Sequence, residues 1–261
     1  MAQPDDSDTY TPRQLHLAGF LVWCGVAFVV LAGAGAALAG LGTQWGWWRF
    51  QTGFAVLQYA AYGALGAFAV GLVAFVSALL MRRGRLILWA AVVMLAALGI
   101  VAVPLSHMQH AGSVPPIHDI TTDTESPPPF VALVEPRSEA MNAVEYPGGE
   151  TAQQQHQAYP WVEPLVLQAP RRAVFDAALA QAREAGWTIA AAEPQEGRIE
   201  ATAETFWFGF QDDVAIRLRE TEDGGVRVDV RSASRVGISD LGTNAHRIRD
   251  FLDALEARVG G

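Results

Sequence analysis

The chain of 261 residues is 51% apolar, has a mean hydropathy of +0.19 and carries a net charge of −9. Its apolar residues gather before Pro104 and its charges after it, which excludes one uniformly water-soluble globule. The acidic balance argues against nucleic acid as a partner, and the lone cysteine, Cys24, excludes an internal disulfide.

Residues 1–16 read as a cytoplasmic tail, with Asp5, Asp6 and Asp8 set against Arg13 rather than the basic start of a signal peptide. Three apolar runs follow, at 17–41, 54–80 and 86–105, none with a charged side chain. Each has at least about 20 residues, enough at about 1.5 Å per residue to cross a hydrocarbon core of about 30 Å. The lipid bilayer is therefore the first partner expected.

Arginines set the expected orientation. Arg82, Arg83 and Arg85 crowd the turn between the second and third spans, and Arg13 precedes the first. Only Arg49 lies in the first loop, and none follows Leu105 until Arg137. The tail and the Arg82–Arg85 turn are thus expected in the cytoplasm, and everything after Leu105 in the periplasm, with the spans in a bacterial inner membrane. Trp45, Trp47 and Trp48 in the first loop read as an interfacial aromatic belt. Small residues four apart, at Gly63, Ala67 and Gly71 and at Ala32, Ala36 and Gly40, predict close helix packing. The same faces offer a route to a homo-oligomer. No Asp, Glu, Arg or His lies within a span, which argues against an ion pathway.

Residues 106–169 form a Pro-rich arm, with Val114-Pro115-Pro116 and Pro127-Pro128-Pro129, read as extended and partly pinned to the C-terminal domain. His107, His110, His118 and Asp119 cluster in it, yet no metal-ligand spacing is completed, and no metal or cofactor is assigned.

Residues 170–261 show regular periods. A helix is predicted from Pro170 to Ala185, stopped by Gly186. Strands follow at 188–192 and at 198–208, the second broken in phase by a bulge or bend at Gly209. Val214, Ile216 and Leu218 alternate in the next strand, and Val226, Val228 and Val230 in the last, with Glu222-Asp223-Gly224-Gly225 as the hairpin turn. Ile248, Phe251, Leu252, Leu255 and Val259 draw one stripe on a helix from Thr243. The predicted fold is an α-helical membrane domain of three transmembrane helices plus a two-layer α+β domain, an antiparallel sheet with two helices on one face.

Asp212-Asp213-Val214, the run Val228-Asp229-Val230-Arg231-Ser232-Ala233-Ser234-Arg235-Val236-Gly237, and Ser239-Asp240-Leu241-Gly242 with Asn244 carry a family pattern. So do Pro116-Ile117-His118-Asp119-Ile120-Thr121-Thr122-Asp123 and Pro128-Pro129-Phe130. In these motifs, over about residues 116–256, the chain resembles the family catalogued as domain of unknown function 1499, in its bacterial membrane-anchored form. The resemblance implies domain limits and no mechanism.

The candidate site is the Arg231–Asn244 segment, which leaves a strand and enters the last helix. Arg231 and Arg235 offer planar donors for carboxylate or phosphate, and Ser232, Ser234 and Asn244 add hydrogen bonds. Asp212, Asp213, Asp240, His118 and Asp119 complete the candidate ligand-binding set. The same residues could instead brace the fold, Arg231 pairing with Asp212 or Asp213, and Asp240 capping the helix. Asp212 and Asp213 are adjacent and so point to opposite faces of a strand. Gly-x-Ser-x-Gly is absent, and no residue is assigned a catalytic role. The leading reading is a non-enzymatic module that binds an envelope protein or a small polar or anionic ligand. The alternatives are an envelope hydrolase using Ser234 or His118, or a structural scaffold of a membrane complex.

Overall fold

A computed structural model describes residues 12–260, with side chains from residue 16 onward. The tail expected over residues 1–16 lies, up to residue 11, outside the described residues. The chain divides into two compact units between Gln109 and His110.

In the first unit, α1 (Pro12–Gln44), α2 (Phe50–Leu80) and α3 (Gly84–Ala111) are long and apolar enough to cross a membrane. On that ground the chain is read as a membrane protein. Buried positions on α2 fall at Ala60, Ala64, Ala67, Gly71, Ala74 and Ala78. This alternation of four and three keeps one small-residue seam on a single face. A β-carbon on Gly35 would sit 3.4 Å from that of Ala60, and one on Gly71 would lie 3.0–3.1 Å from Met94 and Val93. The seam is thus filled within the chain. Leucine, valine and aromatic side chains such as Leu31, Leu65, Leu95 and Tyr59 face outward, as lipid requires. Pro104 does not end α3, which continues six residues beyond the predicted stop at Leu105. Proline is tolerated in membrane helices, where neighbouring groups satisfy the freed carbonyl.

In the second unit, β1 (Asp119–Thr121), β2 (Leu165–Leu167), β3 (Thr188–Glu193), β4 (Arg198–Glu204), β5 (Gln211–Glu220) and β6 (Val226–Ser234) form one antiparallel sheet. Its order is β1-β6-β5-β4-β3. β2 also pairs with β6, so the two short strands share its outer edge, β1 along Arg231–Ala233 and β2 along Val226–Val228. Both come from the segment read as an extended arm, which also carries α4 (Val134–Ser138) and α5 (Gly149–Ala158). Together they pair the backbone groups of an edge that would otherwise template aggregation. Gln155 of α5 extends the covering: its amide accepts from Thr121 N–H at 3.0 Å and donates to Thr121 O at 2.7 Å.

The helices α6 (Arg171–Glu184) and α7 (Thr243–Val259) lie on one face of this sheet. Val174, Phe175, Ala178 and Ala182 of α6, with Ile248, Phe251 and Leu255 of α7, bury against Ile199, Val214, Ile216, Val228 and Val230. Period 3.6 on the helices and period 2 on the strands deliver these side chains to one layer.

One turn departs from the expected pattern. β4 ends at Glu204, before the aromatic cluster, and residues 205–210 close a tight hairpin. Thr205 N–H donates to Phe210 O at 2.9 Å and Gly209 N–H to Thr205 O at 3.0 Å, with Gly209 at φ +64°. The phase break is therefore a turn; the sheet's irregularity is in β3, between Ile189 and Ala191. At the other end, Gly197 takes φ +69°, and a β-carbon there would lie 2.5 Å from Leu218 O. Both the conformation and the space demand glycine. Gly197→Ala is expected to destabilise this unit by roughly 1–3 kcal/mol, lowering its thermal midpoint by several degrees in a circular-dichroism melt.

Candidate functional site

Strand alternation sorts the candidates on β1, β5 and β6 onto two sides of the sheet. On β6, Ser232 and Ser234 face the helices, while Arg231 faces away. Asp212 contacts Arg247 of α7, and Asp213 contacts Arg137 on the opposite side. The candidates therefore form two clusters.

On the helix side, Ser232 Oγ donates to Asn244 Oδ1 at 2.7 Å. Asn244 Nδ2 donates to Ser234 Oγ and to His118 O, both at 3.0 Å. Arg247 reaches Ser232 Oγ at 3.1 Å, Asn244 Oδ1, and Asp212 Oδ2 at 2.7 Å. Its position on a helix whose outer face is polar suggests a solvated side chain, yet it is the cluster's cation. Asp240 accepts from Gly242 N–H at 2.9 Å and Asn244 N–H at 2.6 Å, tying off the start of α7. Burial pushes the Asp240 carboxyl above the usual carboxylate range; the N–H donors of Asn244 and Gly242 pull it down, and the charge of Asp212 adds to the rise. His118 joins through its carbonyl, while its Nδ1 is buried with no hydrogen-bond partner among the described residues. Ser234 and His118 also meet through the backbone, Ser234 N–H donating to His118 O at 2.9 Å.

The opposite face carries four buried carboxylates, Asp119, Glu200, Asp213 and Asp229. Arg231 does not pair with Asp212 or Asp213; it forks onto Asp119, with Nε at 3.0 Å and Nη2 at 2.7 Å, and also donates to Val144 O. Arg235 forks onto Asp213 at 2.8 and 2.9 Å and reaches Gln211 Oε1 at 2.6 Å. Arg137, only 1% exposed, adds a second cation to Asp213 at 3.0 Å and donates to Ala233 O. Glu200 accepts three consecutive backbone N–H groups, from Val131, Ala132 and Leu133 at 2.9–3.0 Å, and pairs with Arg198. Asp229 gathers Arg217, Arg219 and Arg227 at 2.8–3.0 Å. Phe130 lies beneath Arg231 and Arg137, its ring centre 4.5 and 4.9 Å from their guanidinium carbons. The segment 122–148 thus covers a charged sheet face, and each carboxylate is met by a donor suited to it.

Arg137, Glu200 and Arg217 are not among the candidates that the sequence offers; Asp229 stands there only within the family motif, and Arg247 only as a side chain expected on the solvent face of the last helix. A signal existed: Arg198 and Glu200 on β4, Asp213 and Arg217 on β5, and Asp229 and Arg231 on β6 share strand parity. One face of three neighbouring strands therefore carries both signs of charge, which reads equally well as a solvated face.

Beyond β6 the chain forms a pinned loop. Asn142 N–H donates to Arg235 O, and Asn142 Nδ2 to Ser234 O and Gly237 O, at 2.9–3.0 Å. Asp240 N–H donates to Ile117 O at 3.1 Å. Gly237 at φ +93° and Leu241 at φ +55° shape the bend. Ile238, at its crest, is 79% exposed.

Two further groups respond to this charged layer. Burial raises the Tyr146 phenol to about 12, Asp119 adding to the rise and Arg231 opposing it. Burial alone would raise the Asp123 carboxyl, but Ser126 N–H and the guanidinium groups of Arg219, Arg227 and Arg217 outweigh it and hold the carboxyl below its usual range.

Arg231→Ala leaves Asp119 buried without its cation and is expected to cost roughly 3–5 kcal/mol, whereas Arg231→Met with Asp119→Leu should recover most of it. Thermal melts of the three proteins check this order. For Asp123 the depressed value stabilises the fold above the unfolded value of about 3.9, and the contribution is lost as pH falls through the folded value. Asp123→Asn should therefore melt below the parent at pH 6, and the gap should close as pH drops below about 4.

A family model described as protein of unknown function, DUF1499, matches residues 119–255, from the first residue of β1 into α7. No curated protein matches the chain.

Proposed function

The chain belongs to the DUF1499 family, and from that premise we propose a non-enzymatic interaction module carried by three spans of a bacterial inner membrane, its α+β unit in the periplasm. The Arg231–Asn244 segment is the working part. The observation that carries this reading is the state of its polar groups: Arg231, Ser232, Ser234, Arg235 and Asn244 all bond internally, while the loop they anchor raises Ile238 into solvent. A guanidinium forked onto Asp119 or Asp213 has its best donors occupied, which disfavours capture of a free anion. What remains is a stiff platform, and preorganisation lowers the ordering cost of contact. Ser234 Oγ accepts from Asn244, an arrangement that positions it as a brace rather than as an activated nucleophile. The orientation rests on Arg82, Arg83 and Arg85 between α2 and α3.

Cysteine labelling in spheroplasts tests surface and orientation together. In a Cys24→Ala background, Glu222→Cys, on an exposed turn at the other end of the sheet, should react rapidly with an impermeant maleimide. Ile238→Cys should react several-fold more slowly. Equal rates would remove the contact surface, and labelling of both only after lysis would reverse the orientation.

A further inference from the structure

Two side chains in the second unit are apolar and almost wholly in solvent: Phe206, 91% exposed, and Ile238, 79% exposed. The sheet register puts them at the same end. Glu204 pairs with Gln211 at the mouth of the β4–β5 hairpin, and Arg235 N–H donates to Gln211 O at 2.9 Å. Phe206 caps that hairpin, and Ile238 lies three residues beyond Arg235 on the neighbouring strand's exit loop. Neither rides on loose chain. The hairpin closes with three hydrogen bonds between Thr205 and residues 209–210, and Phe208 stacks on Phe210 behind the tip at 5.4 Å. The Ile238 loop is held by Asn142 and Ile117.

The chain enters the unit at this same end. Asp119, the first residue of β1, pairs with Ala233 near the end of β6. Only residues 112–118 separate it from α3. At roughly 3.3–3.6 Å per residue, those seven residues reach no more than about 25 Å when fully extended. The opposite end of the sheet, at the β5–β6 turn, carries Glu220, Glu222 and Asp223. The hairpin tip and the 235–241 loop are thus apolar at their crests, with Glu204 exposed behind them, and the β5–β6 turn is acidic.

We propose that Phe206 and Ile238 insert into the interfacial layer of the bilayer that this chain itself spans, seating this end of the α+β unit on lipid. The assignment rests on the reading of the 235–241 loop as a contact surface and names its partner. A short tether holds the local lipid concentration high, so two side chains suffice where a free domain would need many. The contact is apolar, and the chain's net charge of −9 gives no attraction to anionic headgroups. Anionic lipid should therefore oppose it, and zwitterionic lipid should favour it.

Spin labels on the full chain in nanodiscs test it. Labels at Phe206→Cys and Ile238→Cys in the Cys24→Ala protein should collide with oxygen several-fold more than with a water-soluble nickel chelate, most strongly in zwitterionic discs. A label at Glu222→Cys should show the reverse. Phe206→Asp should abolish the oxygen preference of a label at 238. Labels at 206 and 238 that behave like the one at 222 would overturn the lipid assignment, and so would labels shielded from both reagents, which would indicate a second copy. Slow maleimide labelling at 238 in spheroplasts, together with a water-exposed label in discs, would keep the contact surface and move its partner to another protein.

Discussion

Four carboxylates with no access to water, on one face of a sheet, are the constraint around which the second unit is arranged. A buried carboxylate without a counter-charge is severely destabilising, so Asp119, Glu200, Asp213 and Asp229 require partners. Some of these come from neighbouring strands, as Arg217 and Arg231 do. Others come from 122–148, which supplies Arg137 and the N–H groups of Val131, Ala132 and Leu133. The covering segment is therefore as much a part of the fold as the strands. Its five-residue α4 and its prolines would have little reason to adopt one conformation without Glu200 and Asp213 to bind.

The two faces of the sheet achieve cohesion by different means. The helix side is an apolar layer whose area removed from water drives folding. The other side has a small apolar nucleus, Phe130 and Leu133 against Ala215 and Ala233, within a lattice of charge-assisted bonds. Such a lattice adds little net energy but tolerates few alternative arrangements, because each misplaced guanidinium strands a carboxylate. It makes the Arg235–Leu241 loop stiff, since Arg235 and the carbonyl of Ser234 are both held from the covered face.

Much of this was legible in the sequence where a period was long and one-sided. The stripes on α6 and α7, the alternation in β5 and β6, and the glycine turn at 224–225 announced themselves, as did the three apolar spans. The short strands β1 and β2, three residues each, carry no period to detect. The Phe206–Phe210 cluster looked like a continued strand because aromatic residues favour one, and only the turn hydrogen bonds of Thr205 decided otherwise. The candidate site was legible as a set of residues but not as a geometry. Consecutive residues on β6 point to opposite sides, so a contiguous motif was divided between two layers. Arg137 and Glu200 were hidden because a charged residue that alternates with apolar ones reads as solvated, and only the docked arm shows that it is not.

The pairing of β1 with β6 also orders events in time. The first strand of the sheet to be synthesised waits for the last: Thr121 precedes Val226 by 105 positions. At ribosomal speeds of about 5–20 residues per second, that is a delay of roughly 5–20 s. Until β6 arrives, Asp119 has no Arg231 and the segment 122–148 has only part of its floor. The nascent unit must therefore persist as an incomplete sheet with an open edge. Contacts this distant in sequence slow the closing step as well. A domain stitched shut by its final strand carries an unpaired edge through most of its elongation, a property set by topology rather than by stability.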